Sequence, residues 1–175
     1  TEMSPVMIVN PRYGTKKPSS IGLPISDTLV KLIDPETGQP AKLGEPGEIV
    51  ITGPQLMKEY YKQPAETANA VRNGWMHTGD VARMDEEGYF YLVDRVKDMV
   101  IVSGFKVFTR ELDDVLLKHP DVYMAASVGL PDPERPGSER VGIAVVLHPD
   151  IAKSDEEKAK ITKYLRDNVA PYKVP

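Results

Sequence analysis

The chain has 175 residues, is 41% hydrophobic and carries a formal net charge of −4, which allows one domain or two small ones with a folded core and argues against a disordered acidic tail. A balance so close to neutral, with no basic stripe interleaved with aromatics, argues against nucleic-acid binding, and no apolar run reaches the roughly 18 residues that a membrane-spanning helix needs. Without cysteine there is no disulfide, thiolate metal site or cysteine nucleophile, a composition compatible with a reducing cytosol.

The opening TEMSPVMIVNPRYG lacks the basic start and apolar centre of a signal peptide. Its first twenty residues, punctuated by Pro5, Pro11 and Pro18, read as irregular loop. From Asp27 the pattern turns strand-like: TLVKLID is a strand, PETGQP a turn, and GEIVITG a second strand between Gly47 and Gly53. PAETANAVRNG reads as a short helix closing on Gly74, and DEEG as the loop of a hairpin that leads into YFYLV.

Past Arg95 helices begin to alternate with strands, so residues 1–94 and 95–175 read as separate domains. VKDMVIVSGFKV is strand, tight turn, strand. Leu112, Val115, Leu116 and His119 fall at helical spacing before Pro120, YMAASVGL and RVGIAVVL are apolar strands, and PDPERPGSER is the loop between them. Ser154 and Glu157 form a capping box that opens a second helix, with Ile161, Leu165 and Val169 on one face. Two helices against one face of a small sheet make an α+β unit.

The densest chemistry lies between Gly74 and Phe108. Thr78-Gly79-Asp80 is a small-residue turn ending in a carboxylate, a group that can accept hydrogen bonds from both vicinal hydroxyls of a ribose. Fifteen residues on, Arg95 offers five donors suited to phosphate or ribose oxygens. Taken singly, Asp80 reads as a turn residue and Arg95 as a partner for Asp94 or Asp98 in a surface ion pair. The histidines His77, His119 and His148 are too scattered for a metal site.

Five ordered segments resemble the adenylate-forming superfamily, and within it the fatty acyl-CoA synthetases: Thr1-Glu2, like the end of the family's YGxTE motif; GEIVITGPQLMKEYY; WMHTGD; DRVKDMVIVSGFKVFTRELD; and APYKVP. The resemblance implies the end of a large domain's β-rich part over 1–94, followed by a hinge and a small two-layer α/β C-terminal domain over 95–175. It also implies that both ends are interior to a longer chain, whose missing large-domain segment would be a partner of this one. The family forms an acyl-adenylate from ATP and a carboxylic acid and passes the acyl group to coenzyme A, so ATP, Mg²⁺, CoA and a fatty or related carboxylic acid are the implied ligands.

Site residues follow from the same resemblance. Asp80 and Arg95 are expected at the nucleotide, with Thr1 near its α-phosphate and Glu2 at the metal ion, although a terminal dipeptide is expected to fray. Lys97 takes the hinge position. Ser103, Gly104 and Lys106 belong to the hairpin that approaches the thiol substrate. Tyr60 and Trp75 are read as packing aromatics instead of base-stacking ones. The adenylation lysine is expected beyond Pro175, so no catalytic residue is assigned, Lys173 is not that lysine, and these residues alone are expected to be inactive.

Thr109 stands where the family usually has proline and Asp113 where it has glutamate; Ile101 disfavours the luciferase branch, which uses lysine there. Two alternatives stay open: an amino-acid adenylation domain, and a non-catalytic domain that docks a carrier protein or partner through the Val141 to Leu147 strand. The implied location is the cytoplasm, with peripheral membrane association left open.

Overall fold

The computed structural model describes residues 1–175 as two compact units, Thr1–Val96 and Lys97–Pro175. In the first, β1 (Ile8–Val9) pairs with β2 (Leu23–Pro24), and β3 (Leu29–Ile33), β4 (Gly47–Thr52), β5 (Val71–Arg72), β6 (Trp75–Met84) and β7 (Phe90–Arg95) build an antiparallel sheet, with helix α1 (Pro64–Ala70) before β5. The ten-residue β6 organises this sheet. One edge pairs with β4, while the other takes β5 at Trp75 and Met76 and then β7 from Asp80 to Met84.

β4 is an inner strand, and Ile49, Val50 and Ile51 are buried, so its apolar run is covered on both faces. Ile49 and Ile51 join Met3, Leu32, Met76, Ala82 and Phe90 in one core. Burying side chains of this size stabilises a fold by about 1.5–3 kcal/mol each.

Two expectations change in this unit. The opening loop contains the short β1–β2 pair, anchored because Asn10 Nδ2 donates to the Ser20 carbonyl while Asn10 Oδ1 accepts the Lys17 N–H. Helix α1 stops at Ala70 and does not run to Gly74, since Val71 is extended and Asn73 and Gly74 both have positive φ, 51° and 78°. That is the two-residue hairpin turn for which Asn-Gly is the favoured sequence, and it sets Arg72 opposite Trp75.

The second unit holds a hairpin of β8 (Val100–Val102) and β9 (Phe105–Val107), helix α2 (Thr109–Leu116), a long hairpin of β10 (Val122–Pro131) and β11 (Glu139–Leu147), and helix α3 (Asp155–Asn168). Leu112 and Leu116 lie four residues apart on one face of α2, Ile161 and Leu165 likewise on α3, and all four enter a core with Val100, Val107, Val122 and Val141. Truncating such a leucine to alanine costs about 2–5 kcal/mol.

The predicted capping box closes on one side only. Ser154 Oγ accepts the Glu157 N–H at 3.1 Å, but the Glu157 carboxylate turns to Lys160 Nζ at 3.3 Å. The i+3 lysine competes for the group that would otherwise reach back to the cap.

Arg95 still belongs to β7, opposite Asp80. The break between units therefore falls after Val96, inside a single 3₁₀ turn, Val96–Asp98. The alternation of strand and helix past Arg95 marks the change of unit but not the last rung of the ladder.

Candidate nucleotide and thiol sites

Thr78-Gly79-Asp80 is a bulge. On β4, Glu48 pairs with Val81 and Val50 with His77, so three residues of β6 stand opposite Ile49 alone. The extra length needs a left-handed residue, which Gly79 supplies at φ 73°. Thr78 Oγ1 donates to the Ile49 carbonyl at 2.8 Å and accepts the Asp80 N–H at 3.1 Å, so the hydroxyl bridges the bulge to the strand it leaves.

Beneath it lies Glu48, 8% exposed. Its Oε1 accepts the Gly79 N–H at 3.1 Å and its Oε2 lies 3.0 Å from His77 Nδ1. Sequence reading missed this residue and treated His77 only as a possible metal ligand. The available signal was a carboxylate in the middle of an apolar strand, a place where an acid needs dedicated partners.

Asp80 and Arg95 are brought together. They are ladder partners, Arg95 Nε lies 3.5 Å from Asp80 Oδ1, and the side chains are 56% and 39% exposed for Arg95 and Asp80 respectively. The ion pair runs across the strands, because register sets Arg95 directly opposite Asp80. Asp94 Oδ1 instead accepts the Arg95 N–H at 2.8 Å. A solvent-facing carboxylate beside a guanidinium offers acceptors for hydroxyls and donors for phosphate or ribose oxygens on one surface.

Thr1 is exposed, but Glu2 is not frayed. Its carbonyl accepts the Met57 N–H at 2.8 Å and its Oε1 accepts the Tyr60 hydroxyl at 3.0 Å. A hydrogen bond from its own backbone, then the one from Tyr60, hold the Glu2 carboxyl below the usual carboxylate range. Burial, with the Glu2 carboxylate adding to it, pushes the Tyr60 phenol up. Tyr60 thus aims an ionised carboxylate, a role beyond packing. Glu2 keeps the hard oxygen donors that Mg²⁺ prefers and fits as one ligand to such an ion.

Trp75 is half-buried with Lys31 Nζ 3.7 Å from its ring centroid, so this ring is engaged within the sheet. Lys97 is exposed at the start of the second unit. Ser103 and Gly104 form the β8–β9 turn with φ of 49° and 84°, exposed, while Lys106 is half-buried on β9. Lys173 Nζ lies 2.7 and 2.6 Å from the two Glu111 carboxylate oxygens and is 13% exposed, a structural pair that ties the terminal turn to α2. Of the histidines, His119 lies near Asp121 and Glu157, their ligand atoms within 4.8 Å of one another. The Asp121 N–H donates to His119 Nδ1, which makes this ring a local cap. No helix is long and apolar enough to cross a membrane.

Comparison with known proteins matches the chain to one class. The model for the AMP-binding enzyme covers residues 1–61 and that for the AMP-binding enzyme C-terminal domain covers 111–175. The chain belongs to the AMP-binding enzyme family. It is 42% identical to a long-chain-fatty-acid–CoA ligase of Bacillus subtilis (strain 168), over all of this chain and 30% of that protein. It is also 42% identical to a feruloyl-CoA synthase of an Amycolatopsis species, over all of this chain and 35% of that one. Among solved structures, ATP-bound MatB from Rhodopseudomonas palustris superposes with a TM-score of 0.85 at 30% identity, over 97% of this chain and 33% of that one. The Bacillus subtilis O-succinylbenzoate coenzyme A synthetase in complex with AMP gives 0.79 at 30% identity, over all of this chain and 34% of its own. The chain thus spans about a third of the length of the relatives it matches.

Proposed function

We propose that this segment works within an acid–thiol ligase that adenylates a fatty or related carboxylic acid and transfers the acyl group to coenzyme A. The observation that carries the reading is the β6 bulge, which sets Asp80 and Arg95 side by side on an open surface; the identity to acid–CoA ligases supports it. In the first half-reaction an oxygen of the acid's carboxylate attacks the α-phosphorus of ATP and the bond to pyrophosphate breaks. In the second, the CoA sulfur attacks the acyl carbon and the bond to AMP breaks.

The residues divide these tasks. Asp80 accepts the two ribose hydroxyls, and Arg95 steadies that carboxylate and offers its terminal nitrogens to ribose or phosphate oxygens. Glu48 fixes the bulge from below by holding the Gly79 amide. Thr1 lies toward the α-phosphate. Glu2, aimed by Tyr60, is a ligand for Mg²⁺, which when bound supplies positive charge against the phosphate oxygens. The domain assignment follows: the first unit is the end of the large nucleotide-binding domain, the second the mobile small domain. Lys97, at the junction, absorbs the rotation between half-reactions, and the Ser103-Gly104 turn with Lys106 meets the thiol substrate. The proposed location of the reaction is the cytoplasm, where both ATP and CoA are available.

The reading is tested in the longer enzyme by supplying ATP and a series of carboxylic acids and following acid-dependent pyrophosphate exchange and CoA thioester separately. Both should appear with the same preferred acid. Exchange without thioester, with transfer instead to a carrier protein, would replace the CoA ligase reading with an adenylation domain of another kind.

A further inference from the structure

The β8–β9 turn is held in place from outside the hairpin. The Ile101 N–H donates to Glu139 Oε2 at 2.9 Å, the Ser103 N–H donates to Ser138 Oγ at 3.0 Å, and Arg135 Nη1 donates to Ser103 Oγ at 2.6 Å. Glu139 opens β11, and Ser138 and Arg135 lie in the loop that precedes it. On the other strand the Phe105 ring stacks on Tyr172, centroids 4.8 Å apart.

Val100 and Val107 anchor the base of this short two-stranded hairpin in the core, whereas its turn is exposed beyond them. The Ile101 amide of β8 faces away from β9, and it and the amide of the turn residue Ser103 are the ones satisfied by the brace. Ser103 sits at positive φ, where a non-glycine residue is strained; its hydroxyl accepts from Arg135 and its amide donates to Ser138, which offsets that strain.

The Glu139 carboxylate lies close against Gly129. It lines a recess of about 400 Å³ with Lys97, Asp98, Asp113 and Ser127. A Cβ built at Gly129 would stand 2.7 Å from Glu139 Oε1 and 3.0 Å from its Cδ. Gly129 has no positive φ, so a side chain there would carry no backbone strain and would instead displace the Glu139 carboxylate. The absent side chain leaves the volume in which the carboxylate reaches Ile101.

We infer that Glu139, given room by Gly129 and aided by Ser138 and Arg135, is a positioning residue for the thioester-forming half-reaction. It sets the Ser103-Gly104 turn at the angle in which that turn meets the thiol, and has no part in adenylation. This rests on the proposed thiol-facing role of the turn. A displacement of about 1 Å in a positioning element can cost on the order of 100-fold in rate, so the brace acts on the second step with no contact to substrate.

The test uses the longer enzyme and separates the two half-reactions by measuring pyrophosphate exchange and, from preformed acyl-adenylate, the rate of thioester formation against CoA concentration. Glu139→Ala and Gly129→Ala should each slow the thiol step about 10- to 100-fold, leave exchange within about twofold, and speed hydrogen exchange at the Ile101 and Ser103 amides. Glu139→Gln should restore most of the rate, because the amide oxygen still accepts the Ile101 N–H. Gly104→Ala, strained at φ 84°, probes the turn itself. A slow thiol step in Gly104→Ala with a normal one in Glu139→Ala overturns the brace and keeps the turn's role; a normal thiol step in both overturns the two together. Equal loss in both half-reactions for Glu139→Ala assigns Glu139 to folding and also overturns the proposal.

Discussion

The carboxylate of Glu48 and the imidazole of His77 lie 3.0 Å apart beneath the β6 bulge. The other oxygen of Glu48 holds the Gly79 amide, so one buried acid holds both the middle of the turn that presents Asp80 and the residue that leads into it. Removing it leaves the Gly79 donor without its acceptor and His77 without its partner. Glu48→Ala should therefore lower stability by about 1.5–3 kcal/mol, the scale of hydrogen bonds to a charged group, and weaken ATP binding although Glu48 does not touch the nucleotide. Urea unfolding and calorimetric titration of the longer enzyme check both. Full stability in the variant would show that the bulge holds its shape without the acid.

Asp80→Ala should behave differently. Its side chain faces solvent beside Arg95, so the fold should stay intact while ATP affinity falls by roughly 1.5–3 kcal/mol. Matching circular dichroism with unchanged affinity would remove Asp80 from the nucleotide site.

Lys97→Pro fixes φ at the junction and restricts Val96 before it. One orientation of the second unit should be trapped, so one half-reaction should fall at least tenfold further than the other. Equal loss in both, or loss in neither, counts against Lys97 as the hinge.

Asp85 gives a pH prediction. Its carboxylate accepts from Lys17 Nζ, the Tyr91 hydroxyl and the Glu87 and Tyr89 amides. The Lys17 hydrogen bond is the largest influence and, with the Tyr89 amide and the Tyr91 hydroxyl, holds the carboxyl down to about 2. A depressed folded pKa gives stability that is present above the unfolded value near about 4 and lost as pH falls toward the folded one. Thermal melts between those limits should fall more steeply for the native sequence than for Asp85→Asn. Parallel pH curves would show that the Lys17 contact does not persist in solution.

Much of this was legible in the sequence because local chemistry and tertiary structure agree. The apolar run of GEIVIT forms the buried strand it suggests, Leu112 and Leu116 share the face their spacing implies, and Ser103-Gly104 makes a tight turn. The misses arose where a side chain had several possible partners. Whether Glu157 reaches back to Ser154 or forward to Lys160 depends on competition that a capping pattern does not resolve, and Val71 leaves its helix because an Asn-Gly turn recruits it into the sheet. The same holds at the candidate site. Asp80 and Arg95 were readable as chemistry, but their pairing is a matter of register, and Glu48 is far from both in sequence.

Each hydrophobic cluster draws all its buried members from one unit: Met3 to Phe90 in the first, Val100 to Leu165 in the second. The sequence therefore carries two independent mutational ledgers. A core change in α3 meets the second unit's own buried side chains, and a change under β4 meets the first's.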